Sequence, residues 1–579
     1  MTGLSRCSGK SMFAVVGFAI LLSACGGSGG GETGPSRMPT TLFAAPMGGG
    51  GASCFNSGAD VCPLDRAVAV AIPGDTIEAA CGIYDQAGAT LVIAKNFTIA
   101  PVTAGCAVIT GTNTNSIVSI TASNDGNTLT FGAFEVQNTG GTTNWPIVIN
   151  NAPYDATVVL SETTVSVGGT FRHISDYWTR GTLKLLNVTL TGTMGSQAGF
   201  YSLNTPSSAK KVLVSGGTFN LTASGSNTPA IYIERRAGTA VSEWVLISGT
   251  KVNVIVPPVL GASAYGAGIF LNQITSGTDP DGNLTPPIVE QNAVSVASTD
   301  ATSASSYGIL VTSADPTAVA DFVSIRGNTV ELNAPAGYGI IVGHDGVTAY
   351  AANATIYGNT VTGLFYNGSA TPHGIDCARV VNCHIYGNRV NGFAVGIISS
   401  TATGTVVTGN VVVGSYDAPL FAKGNTSATF ANNTILMDDT LYGARISKYG
   451  CLGVAAQSGT PNVATLFQNN LCYIRNGTNW KYSVVDSSQV ANFEHNNYFS
   501  DVPLTNPWNY QGSTDTTVTA WNTRATVGTD LDADPLWVSA TDFHLQDTST
   551  LKQAGLTWGS ECTNFEGHPC LVPPNIGAY

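Results

Sequence analysis

A few short clusters bring together residues able to move protons or bind anions, in a chain where only 10% of positions are Asp, Glu, Lys or Arg. They are Glu234, Arg235 and Arg236, then Asn272 and Gln273, then His344 and Asp345, then His373, Asp376 and Arg379. An imidazole titrates near neutral pH and a carboxylate can orient it, so His344, Asp345, His373 and Asp376 are the candidates for general acid and base work. Glu234, Arg235, Arg236, Asn272 and Arg379 are the candidates for holding substrate, the arginines by pairing with a ligand carboxylate. These are the parts needed to eliminate or hydrolyse a glycosidic bond in an acidic polysaccharide. Structural roles compete: His373, after Pro372, would solvate a turn, Asp376 would cap a strand, and Arg379 would form a surface ion pair.

Other chemistries find little support. Asp279, Asp281 and Asn283, with Glu290 eleven residues after Asp279, partly match a calcium loop, but Leu284 stands where that loop needs glycine, so a plain turn is expected and calcium stays a weak candidate. No paired Cys or Cys/His spacing suits zinc, and no nucleophile elbow is present. The runs Gly26–Gly31 and Gly48–Gly51 lack the preceding strand and following helix of a phosphate loop. A formal charge of −13 without clustered Lys and Arg argues against a nucleic-acid partner.

The clusters sit beside a repeated phrase. Gly268-Ile269-Phe-Leu271, Gly308-Ile309-Leu-Val311, Gly339-Ile340-Ile-Val342, Gly374-Ile375-Asp-Cys377 and Gly396-Ile397-Ile-Ser399 share one pattern. A second phrase alternates with it: Ile325-Arg-Gly-Asn328-Thr-Val330, Ile356-Tyr-Gly-Asn359-Thr-Val361 and Ile385-Tyr-Gly-Asn388-Arg-Val390. With Asn292, Asn328, Asn359, Asn388, Asn410 and Asn433 as one column the steps are 36, 31, 29, 22 and 23 residues, a constant coil of about 22 plus insertions. Short strands rich in Val, Ile and Thr, one coil stacked on the next, predict an all-β solenoid: a single-stranded right-handed parallel β-helix. In it, the second and fourth residues of the Gly-Ile phrase point inward. The asparagines adopt the left-handed turn conformation and bond to their counterparts above and below. Tyr232 and Phe270, at the third position, either stack on sugar rings or lie beneath the insertions.

The amino terminus reads as a targeting segment. Arg6 and Lys10 precede an apolar run, Met12–Leu22, about half the ~20 residues a membrane-spanning helix needs. Leu22-Ser-Ala-Cys25 resembles the bacterial lipoprotein box, which implies lipidation of Cys25, a membrane contact through that lipid alone, and, with Gly26 following, passage to the outer membrane. The expected organisation is a signal peptide over 1–24, a lipidated Gly-rich tether over 25–53, the β-helix over 54–530 and a capping segment over 531–579. Apart from Cys7 and Cys25, ten cysteines in an exported chain predict disulfides, with local pairings Cys54 with Cys62, Cys81 with Cys106, Cys377 with Cys383, Cys451 with Cys472 and Cys562 with Cys570, a connectivity that sequence alone does not fix.

At one end, a helix candidate over 64–72 precedes Pro73-Gly-Asp-Thr-Ile77, Gly82-Ile-Tyr84 and Lys95-Asn-Phe-Thr-Ile99. At the other stand Asp534-Pro-Leu-Trp537, Asp542-Phe-His-Leu545, Asn564-Phe-Glu-Gly567 and Asn575-Ile-Gly-Ala-Tyr579. This order resembles bacterial pectate-lyase-like β-helix proteins, with Leu551-Lys-Gln-Ala replacing a proline-containing turn. The resemblance spans about residues 55 to 579 and implies the fold and a surface location, with a polysaccharide or surface glycan as partner. It is weak for activity: the separated motifs of polygalacturonases are missing, with only Gly343-His344-Asp345-Gly346 similar to one piece, and the Lys or Arg base and calcium site of the lyases cannot be placed. A binder and cleaver of polysaccharide, lyase or glycosidase, is therefore set against a non-catalytic surface adhesin or scaffold.

Overall fold

The computed structural model describes residues 37–47, 53–55, 58, 60–112, 116–121, 126, 128–140, 145–150, 155–168, 172–177, 180–194, 198–204, 210–224, 228–235, 244–257, 266–274, 277–279, 281–298, 305–312, 323–343, 351–363, 371–438, 448–477, 480–487, 489–524, 528–557 and 562–579. The targeting segment and most of the Gly-rich tract lie outside these. Residues from Pro39 onward form one unit, a right-handed parallel β-helix whose coils contribute in turn to three long sheets of 18, 15 and 16 strands, here called A, B and C.

Two sequence phrases lock together inside this stack. The isoleucines of the Gly-Ile phrase form one inward column of sheet C, Ile231 to Ile269, Ile309, Ile340, Ile375 and Ile397, all buried. The glycine before each also faces inward. A Cβ at Gly268, Gly308, Gly339, Gly374 or Gly396 would meet Cγ1 of Val294, Val330, Val361, Val390 or Val412 at 2.3–2.4 Å. These are the valines of the Asn-x-Val phrase on sheet B, so the glycine is demanded by close packing across the corner.

The asparagine column is one continuous hydrogen-bonded ladder, which the more degenerate phrases Asn469-Asn470 and Asn496-Asn497 extend. The backbone N–H and Nδ2 of Asn328 both donate to Oδ1 of Asn359, at 2.9 Å, and Asn359 does the same to Asn388. The ladder runs from Asn292 through Asn410, Asn433, Asn470 and Asn496. It ends on Asp530, which accepts from Asn496 and from Trp521 Nε1 and, as the last member, need donate to nothing. The left-handed backbone expected of these asparagines belongs instead to the residue before each: Gly327, Gly358, Gly387 and Gly409, and further on Asn432, Asn469 and His495, have φ of 52–63°. The ladder asparagine thereby keeps its amide aligned with the stack. A second, shorter ladder, Asn425, Asn462 and Gln489, lines another corner and was not read from the sequence.

Both ends depart from expectation. Strand Thr41–Ala44, inside the stretch expected to be tether, pairs with Thr76–Ala79 and opens the stack. The first helix, α1 (Leu64–Val70), buries Leu64, Ala67 and Val68, spaced for one face. Lys95 Nζ caps its carboxyl end by donating to the carbonyls of Ala69 and Ala71, while Asp75 accepts from the backbone N–H of Thr40 and Ile72. Those bonds give the PGDTI and KNxTI motifs their physical sense. At the far end the second helix, α2 (Val518–Arg524), carries Trp521, fully buried against Phe493. The segment after 531 lies along the side of the coils: Phe543 and Ala578 pack with Val411 and Leu436 on sheet B, and Asn432 Nδ2 donates to Asn575 O. All five local disulfides are formed as paired above.

Candidate functional site

His373 opens the strand His373–Ala378 on sheet C, between Tyr338 and Val395 of the neighbouring coils, and so belongs to a strand and not to a turn. Gly374 and Ile375 both turn inward, which leaves His373 and Asp376, three residues apart, on the same outer side. Nδ1 of His373 lies 3.3 Å from Oδ2 of Asp376, and Ser400 Oγ donates to Oδ1 of Asp376 at 3.2 Å. The Tyr338 ring meets the imidazole edge-on at 4.8 Å. Burial pushes the Tyr338 hydroxyl well above its ordinary range, and the Asp376 charge adds to this, so it stays protonated at neutral pH.

These groups line a cavity of about 190 Å³ with Arg379, Lys423 and Gln457 at its margin. Arg379 occupies a left-handed corner position with its N–H bonded to Ser400 O, and Lys423 stands in register with Ser400 one coil on. Among the described residues neither cation forms an ion pair within 4.0 Å. Asp417 is a neighbour that sequence reasoning missed. Burial raises its carboxyl, against the pull of Lys448, His373 and Lys423. Its one signal was its place two residues before Pro419, one position upstream of the counterpart of His373, which is Ala418.

The other candidates fall differently. Glu234 and Asn272 do come together on the outer side of sheet C, one coil apart. They are, however, held within a network: Tyr201 donates to Glu234 at 3.0 Å, Asn272 donates to Tyr232 at 3.1 Å and Thr312 donates to Asn272 at 2.7 Å. Burial, with the Glu234 charge second, raises the hydroxyls of Tyr201 and Tyr232. Arg235, at 8% exposure, faces away from that network and is not open to a ligand. Phe270 is 8% exposed and packs with its ladder neighbours Leu310 and Ile341, which leaves no open ring face for a sugar. Asp279 spends Oδ1 on the backbone N–H groups of Asp281 and Asn283, closing a hairpin turn. Arg236, His344 and Asp345 lie outside the described residues.

The fold and this outward pocket define the chain as a right-handed parallel β-helix protein with a His–Asp pair beside two cations. Residues 288–435 match a family model described as a right handed beta helix region. Among solved structures the chain is similar to a pectate lyase at 14% identity, covering 94% of this chain and 96% of that one with a TM-score of 0.19. It is also similar to an alginate lyase at 12% identity, covering 80% and 91% with a TM-score of 0.21. At such scores neither likeness is a basis for assigning chemistry. No curated protein sequence matches the chain.

Proposed function

We propose that the protein binds an acidic polysaccharide on the outer side of sheet C and cleaves it by β-elimination in the pocket of His373 and Asp376. The observation that carries this reading is the 3.3 Å contact between His373 and Asp376 in a cavity edged by Arg379 and Lys423. With Nδ1–H donated to Asp376, the Nε2 lone pair takes the C5 proton of a uronate residue. Arg379 and Lys423 neutralise the uronate carboxylate, where negative charge develops. The C4–O bond breaks as the C4–C5 double bond forms, and the departing oxygen takes a proton from the Tyr338 hydroxyl.

The expected result is new ultraviolet absorbance of an unsaturated uronate when polygalacturonate, alginate or hyaluronan is supplied, with turnover about 10²–10⁴-fold lower in His373→Ala. New reducing ends without that absorbance would assign hydrolysis instead. A protein that binds such chains and never cuts them would be the adhesin.

We further propose that the protein is held at the cell envelope, anchored in the outer membrane by a lipid on Cys25, a reading supported by the Leu22-Ser-Ala-Cys25 sequence. Cys25→Ala is expected to abolish labelling by radioactive palmitate and to release the chain from the membrane fraction. Labelling that persists would remove the anchor.

A further inference from the structure

A second cavity, larger than the first, lies at the carboxyl-terminal end of the stack. It measures about 510 Å³, within the roughly 300–1,000 Å³ usual for small-ligand sites. Its walls include Tyr482, Phe499, Leu504 and Trp508, and its polar groups include Asp501 and Asp532. Among the described residues no lysine or arginine lines it.

Three features bear on what fits there. The aromatic side chains are fixed by mutual packing, with the Tyr482 ring 5.0 Å from that of Trp508 and 5.3 Å from that of Tyr498. Asp501 is held in place by accepting the backbone N–H of Asn476 at 2.8 Å through Oδ1, and both Asp501 and Asp532 are exposed. Trp508 is 3% exposed, and its indole N–H finds no acceptor among the described residues. A buried donor left unsatisfied costs about 1–3 kcal/mol, so an acceptor arriving with a ligand is favoured.

We propose that this cavity binds an uncharged sugar residue. The apolar face of a pyranose ring packs on aromatic carbon. Its hydroxyls donate to the two carboxylates in charge-assisted hydrogen bonds, and a sugar oxygen accepts from Trp508. Two carboxylates without a balancing cation repel the uronates that the His373 pocket would hold, so the two cavities select different sugars. This assignment is independent of whether the His373 pocket is catalytic.

The test is calorimetry and tryptophan fluorescence on the mature chain with cellohexaose, mannohexaose and xylohexaose, alongside hexagalacturonate and a chitosan hexamer. At least one neutral hexasaccharide should bind and perturb the fluorescence, and Asp532→Asn, a change at an exposed position, should weaken it by tenfold or more. Trp508→Phe, which keeps an aromatic ring and removes the N–H, should weaken it by several-fold. The proposal is overturned if no neutral hexasaccharide binds, if binding is indifferent to both substitutions, or if only the cationic chitosan hexamer is retained.

Discussion

Asp176 and Asp376 stand on the same parallel sheet in adjacent register columns, and their surroundings have almost nothing in common. Asp176 lies in the column of Ser202, Ile233 and Leu271, which points into the helix, and is fully buried. It pairs there with Lys210, itself 1% exposed, and accepts from Ser202 Oγ at 2.7 Å, while Lys210 donates to the same hydroxyl at 2.9 Å. Asp376 lies one residue out of step, in the column of Phe270, Leu310 and Ile341, which points outward, and holds a histidine at the edge of a cavity. Side chains on a strand alternate between faces, so a shift of one position decides whether a carboxylate meets a lysine across a core or a ligand from solution. Either way the carboxylate keeps a partner, because burying a bare charge is prohibitive.

Removing the inner partner should have the largest effect on stability. Lys210→Met takes the lysine away from the buried Asp176 carboxylate and is expected to cost about 3–5 kcal/mol, whereas Asp176→Leu with Lys210→Met together should come close to the wild-type protein. Denaturant unfolding of the three proteins reads this directly. A single variant as stable as the wild type would mean that water reaches the inner pair and that the contrast between the columns fails.

Next comes the pH response of other interior groups. His173, fully buried with Nε2 bonded to Thr191 O, has its pKa lowered from 6.5 to about 4 by burial, so the unfolded chain binds a proton that the folded one refuses and stability falls as pH drops through that interval. Asp530, at the end of the asparagine ladder, is raised from 3.8 to about 6 by burial, so its contribution is complete below the lower value and lost as pH rises to the upper one. Each amounts to about 3 kcal/mol, with opposite slopes that nearly cancel between them. Relative to the wild type, His173→Gln should therefore gain stability toward acid and Asp530→Asn should gain it toward neutral pH. Parallel pH profiles for all three proteins would refute both assignments.

The smallest expected change in stability is at the outer aspartate. Asp376→Asn keeps an acceptor for Ser400 and should cost about 1 kcal/mol or less while suppressing turnover with that of His373→Ala. An unfolding cost as large as that of Lys210→Met would make Asp376 a structural residue like Asp176.

The pairing of His373 with Asp376 was legible only as proximity in sequence. Their joint outward orientation depends on Gly374 and Ile375 both turning in, which the Gly-Ile phrase explains once Val390 is known to lie beneath the glycine. Lys423, 50 residues after His373, joins the pocket, and Asp417, 44 residues after it, comes within electrostatic reach, because stacked coils bring distant positions into register. Arg235 was adjacent in sequence to the useful Glu234 and yet buried, since neighbouring strand positions face opposite ways.

The repeat by itself determined the solenoid, its coil length, the inward isoleucines and the asparagine column, because each coil is a copy of its neighbours and a periodic pattern survives in one dimension. What only the tertiary structure decided is where that periodicity breaks: the outward His–Asp pocket, the lysine that reaches Asp176, the closing of the far end by Trp521 and Asp530, and the path of residues 531–579 along the side of sheet B. Those depend on contacts between residues without a repeated counterpart, and a pattern read along the chain carries no record of which such residues the stacking brings together.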